Sequence, residues 1–74
     1  MPKLPVLSGR ETVQVFERLG WEVVRQRGSH IILVKKGYNV TLSVPDHKEI
    51  AKGTLRKLLS LSGISVEEFL DAMK

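Results

Sequence analysis

Hydrophobic positions along this chain repeat first at a helical interval, then at a strand interval, then at a helical interval again. Val13, Phe16 and Leu19 recur at the spacing that gathers side chains on one face of a helix. Just ahead of them, Ser8-Gly9-Arg10-Glu11 has the form of a capping box, with Ser8 as N-cap and Glu11 reaching back. Gly20 suits the left-handed end of a helix. A first helix is therefore predicted over residues 9–19. Trp21-Glu22-Val23-Val24-Arg25-Gln26 is rich in strand formers and has no helix caps. Arg27-Gly28 breaks it. Ser29 to Lys35 reads as a second strand, because its β-branched residues are too dense for so short a helix. Lys36-Gly37 reads as a second turn, and the alternation of Asn39 to Val44 as a half-buried third strand closed by Pro45.

Beyond the strands, Asp46 to Lys52 is polar and predicted irregular. Leu55, Leu58 and Leu59, with Ile50 ahead of them, mark an amphipathic helix from about Gly53 to Ser62-Gly63. Ser65-Val66-Glu67-Glu68 is a second capping box, opening a short helix anchored by Phe69 and Leu70. The order is α-β-β-β-α-α. It describes an α+β domain: a three-stranded antiparallel meander with tight glycine turns and its helices on one face. The opposite sheet face is then left for a substrate or partner.

Residues 1–74 suffice for one domain, and one this small buries only about 60% of the surface its unfolded chain exposes. Small domains often lean on disulfides, metals or partners. The absence of cysteine excludes disulfides and Cys-based zinc sites, and two histidines with scattered acids argue against a structural metal. A protein partner, a second copy of the chain included, is the remaining aid. Met1-Pro2-Lys3-Leu4-Pro5 has no apolar run resembling a signal-peptide core, and no stretch approaches a membrane span. A soluble, cytoplasmic protein without membrane contact is expected. The net charge of +4 is uneven: only Lys74 is basic in the last ten residues, against Glu67, Glu68 and Asp71. A basic body with an acidic tail attracts polyanions such as nucleic acid, although basicity can serve solubility alone.

Two histidines are candidates for chemistry. His30 follows Gly28-Ser29 after a turn, and an imidazole titrates near working pH, as a general acid or base must. Gly28 would permit close approach of a phosphate, and Ser29 offers a hydroxyl. The residues alone leave open an ordinary strand histidine. His47, in Val44-Pro45-Asp46-His47-Lys48, reads first as a loop histidine, since the adjacent Asp46 need not face it. Lys48, Lys52, Arg56 and Lys57 surround a helix start, where free N–H groups and the positive dipole end favour phosphate; a solvated helix face would look the same. Tyr38 at a turn tip is the one platform for base stacking, while Phe16, Trp21 and Phe69 are expected to pack. Metal-ligand spacing, a P-loop and a dinucleotide turn are all missing.

Taken in order, Gly20-Trp21, Gly28-Ser29-His30, Val44-Pro45-Asp46-His47, Gly53-Thr54-Leu55-Arg56 and Ser62-Gly63-Ile64-Ser65 resemble the HicA/YcfA-like toxins over roughly residues 7–72. That resemblance implies a fold similar to the double-stranded-RNA-binding domain and an mRNA interferase that needs no cofactor. It implies His30 as the catalytic histidine; the reading of the residues themselves adds Gly28, Ser29, Lys48, Lys52, Thr54, Arg56 and Lys57 as candidate RNA-binding positions. As a mechanistic hypothesis on that basis, His30 would act as general base on a ribose 2′-hydroxyl; the sequence leaves the general acid open among His47, a lysine and water. The resemblance also implies a HicB-type antitoxin covering the active surface. Two other classes compete: a non-catalytic RNA-binding module and a protein-interaction domain. Cleavage of RNA, as against a mere gel shift, separates them.

Overall fold

The structure is a computed structural model that describes residues 3–74, so Met1 and Pro2 of the proline-containing start lie outside the described residues. Its elements are α1 (Gly9–Arg18), β1 (Glu22–Arg27), β2 (His30–Val34), β3 (Leu42–Pro45), α2 (Lys52–Ser62) and α3 (Val66–Ala72). Both expected capping boxes form. Ser8 Oγ accepts from the Glu11 N–H at 3.1 Å, and Glu11 Oε1 accepts from the Ser8 N–H at 2.9 Å. Ser65 and Glu68 repeat the pair at the start of α3.

The end of α1 shows how a glycine sets the course of the chain. Gly20 takes φ 98°. Its N–H donates to Glu17 and the Trp21 N–H donates back to the Phe16 carbonyl, satisfying two carbonyls the helix leaves free. That closure turns the chain into β1. It also brings the buried Trp21 ring edge-on to Phe16, with centroids 6.4 Å apart. Phe16 in turn meets Phe69 of α3 at 5.5 Å. Leu33, Leu42, Val44 and Leu55 complete the centre of the core, all at most 1% exposed.

The three strands form one antiparallel sheet in the order β1-β2-β3. The β1–β2 turn holds Gly28 at φ 57° with Ser29 at negative φ, the signs of a II′ hairpin turn with glycine first. Register follows from it: Arg27 pairs with His30, Gln26 with Ile31 and Arg25 with Ile32, before a bulge at Val24. Ile31 and Leu33 point into the core, as do Leu42 and Val44 of β3. Strand alternation therefore sends Arg25, Arg27, His30, Ile32, Ser43 and Pro45 to the other face.

One expectation holds only in part. Lys36-Gly37 does turn, with Gly37 at φ 88° and the Tyr38 N–H donating to the Lys35 carbonyl at 3.0 Å, but the turn sits inside a longer loop over residues 35–41, and β3 begins only at Leu42 rather than at Asn39. Side-chain packing accounts for it. Lys35 Nζ donates to the Leu19 carbonyl at 3.0 Å and lies 5.0 Å from the centre of the Tyr38 ring, which packs on Trp21 at 5.5 Å. The loop folds back over the end of α1, so these residues cover Trp21 instead of extending the strand pair.

Candidate functional site

His30 opens β2 immediately after the Gly28-Ser29 turn, and its side chain is exposed on the outer sheet face. A Cβ on Gly28 would meet nothing within 4 Å, so glycine is needed there for its backbone angle and the surroundings are open. The turn is held from the far side. Asp46 N–H donates to the Ser29 carbonyl at 2.6 Å, and Gln26 Nε2 bridges the Gly28 carbonyl (3.1 Å) and Asp46 Oδ2 (3.2 Å). Arg10 grips both oxygens of the same carboxylate, at 3.2 and 3.3 Å. The Gly9 N–H, at the start of α1, donates to the His47 carbonyl at 2.8 Å, and a Cβ on Gly9 would collide with the Pro45 carbonyl. The 45–47 segment is thus clamped between α1 and the turn that carries His30.

Next to that turn lies a cleft of about 400 Å³ with two walls. The sheet wall consists of His30, Thr41, Ser43 and Pro45; the helix wall consists of Thr54, Lys57, Leu58 and Leu61 of α2, beside the β3 edge. Residues 54, 57, 58 and 61 share one helix face by their spacing, which is why Lys57 reaches this cleft and its neighbour Arg56 does not. Lys52 and Arg56, one turn apart, line a different groove of about 440 Å³ with Lys3, Ser65 and Glu67. Lys48 is exposed in the bend before α2 and lines neither hollow. The basic residues around the start of α2 are therefore split between two faces.

His47 is exposed and absent from the walls of the His30 cleft; its backbone carbonyl, not its imidazole, makes the contact described above. Among the described residues, neither imidazole pairs with a carboxylate, and no three His, Asp or Glu side chains gather as a metal-ligand set. Tyr38 sits in the loop at the opposite end of the sheet from the His30 turn. Sequence reasoning missed Arg25 and Arg27 on the His30 face, and Thr41 and Ser43 in the cleft. A signal was available for the arginines: a two-residue hairpin pairs 27 with 30 and 25 with 32, so they follow His30 onto its face.

The model of one family, described as HicA toxin of bacterial toxin-antitoxin, matches residues 9–64, which take in α1, all three strands and α2. The chain belongs to the HicA toxin family. The match spans the clamp, the turn with His30 and both cleft walls, so the site described here lies inside the HicA-matching region. Membership makes the chain a toxin-type component of a toxin–antitoxin pair and implies an antitoxin as its partner. No curated protein and no solved structure matches the chain. Among the described residues, no helix is long and apolar enough to cross a membrane.

Proposed function

We propose that this HicA-type toxin is a metal-independent mRNA interferase in which His30 is the general base. The observation that carries the reading is the exposed imidazole at the mouth of a cleft whose opposite wall bears a cation. Such a site can admit a flexible single strand, and RNA recognition commonly works on unpaired bases and backbone. His30 takes the proton from a ribose 2′-hydroxyl. The resulting oxygen attacks the adjacent phosphorus and expels the 5′-oxygen, leaving a cyclic phosphate end. Arg25 and Arg27, on the same face, are suited to the flanking phosphates, and Gly28-Ser29 presents backbone and a hydroxyl beside them. A HicB-type antitoxin would silence the enzyme by covering this face with acidic groups.

The test is incubation of the pure protein with RNA in EDTA, beside His30→Ala. Wild type should cut and leave cyclic phosphate ends. The variant should keep its fold and most RNA affinity while losing roughly 10²–10⁴-fold in rate. A folded His30→Ala protein that cuts at the wild-type rate ends the assignment. RNA that is shifted but never cut by wild type would leave a binding module.

A further inference from the structure

The cleft has a base on one wall, and cleavage of this kind also requires a proton for the departing oxygen. We propose that Lys57 is the general acid, donating its ammonium proton to the 5′-oxygen as the bond to phosphorus breaks. The inference rests on the reading of His30 as base and assigns the second half of the same reaction.

The argument starts from the stereochemistry of the displacement. The attacking 2′-oxygen and the leaving 5′-oxygen stand on opposite sides of phosphorus when the groups are in line. The base and the acid must then approach from opposite sides too. His30 occupies the sheet wall of the cleft and Lys57 the helix wall, so a phosphate seated between them meets one on each side. Alternatives fail on placement or on chemistry. His47 is not in the cleft, and Lys52 and Arg56 line another groove. Arg27 is the cross-strand partner of His30 and stands on the base's own side. A guanidinium is moreover a poor proton donor, because it stays protonated under all ordinary conditions. An ammonium is a far stronger acid than the alcohol it would protonate, so transfer to a departing alkoxide runs downhill.

The step balances without a further reactant. The 2′-hydroxyl proton passes to His30, the O2′–P bond forms, the P–O5′ bond breaks, and the Lys57 proton ends on O5′. Imidazolium and neutral amine then exchange protons with water, restoring both groups. Thr54, one turn before Lys57 on the same helix face, and Ser43 on the sheet wall offer hydroxyls for the non-bridging oxygens.

The experiment uses two substrates: ordinary RNA, and the same RNA with sulfur in place of the bridging 5′-oxygen at the cleaved position. A thiolate departs without protonation, so loss of a general acid is relieved by sulfur and loss of a base is not. Lys57 is exposed on its helix, so Lys57→Ala should fold like the wild type by circular dichroism. It should cut ordinary RNA at least 100-fold more slowly with RNA affinity within about threefold, the range of a lost general acid. It should cut the sulfur substrate within about threefold of wild type, whereas His30→Ala stays slow on both. If His30→Ala is inactive and Lys57→Ala cuts ordinary RNA at the wild-type rate, Lys57 is not the acid, and the reading of His30 stands. A Lys57→Ala enzyme equally slow on both substrates also overturns the proposal. Normal cleavage by His30→Ala removes the reading on which it rests.

Discussion

Both histidines belong to the neighbourhood of the clamped 45–47 segment, His30 as the cross-strand partner of Pro45 and His47 as part of the segment itself, yet they have different situations. His30 projects from the first position of β2, beyond a hairpin turn fixed by Asp46 and Gln26, and forms part of a cleft. His47 contributes a backbone carbonyl to the start of α1 and leaves its imidazole in solvent. The difference gives a prediction at the level of one residue. His47→Ala keeps the carbonyl that Gly9 needs, so fold and RNA cleavage should both survive, with the rate within about threefold of wild type. A loss approaching the 10²–10⁴-fold of a missing acid or base would put His47 in the reaction after all. Rates measured on ordinary RNA, alongside thermal melts to confirm folding, decide it.

At the scale of elements, the caps are where local sequence acts most directly. Ser8 satisfies a free N–H at the start of α1, and Glu11 returns the bond. Ser8→Ala should cost about 1 kcal/mol, which in a domain of this size lowers the melting temperature by roughly 4–8 °C. The hydrogen bond from the Ser8 backbone, then that with its side chain, holds the Glu11 carboxyl below its ordinary value. A carboxyl depressed on folding adds stability that is present above its unfolded value and disappears as pH falls through the folded one. Glu11→Gln still accepts the bond but does not titrate, so its stability should change less steeply than wild type on the acid side. Identical acid limbs for the two proteins would rule out that linkage. These caps were legible in the sequence because each is written in four consecutive residues. Likewise the glycine ends and the strand alternation need only near neighbours. The loop over residues 35–41 was not legible, because it is held by Lys35 and Tyr38 acting on Leu19 and Trp21 across the fold. The partition of Lys52, Arg56 and Lys57 between two hollows was hidden for a similar reason. Helical spacing separates Lys57 from Arg56, but only the packing of α2 beside β3 shows which side meets His30.

For the whole molecule, the same partition decides how a net charge of +4 is used. RNA bound to a basic protein releases counterions, and the logarithm of affinity falls with the logarithm of salt by about 0.7 per neutralised phosphate for single strands. If the strand runs along the sheet face into the cleft, Arg25 and Arg27 each neutralise a phosphate. Their joint replacement by Ala should then flatten the salt slope by roughly 1.4. It should also weaken RNAs of different sequence about equally, because phosphate contacts carry no base information. Lys52 and Arg56 face the second groove with Lys3, so their joint replacement should flatten the slope less. Binding is best measured with the inactive His30→Ala background, so that affinity is read without loss of substrate. A larger change from the Lys52/Arg56 pair would mean that RNA follows the far side of α2. The cleft would then have to be entered from the helix end rather than across the strands.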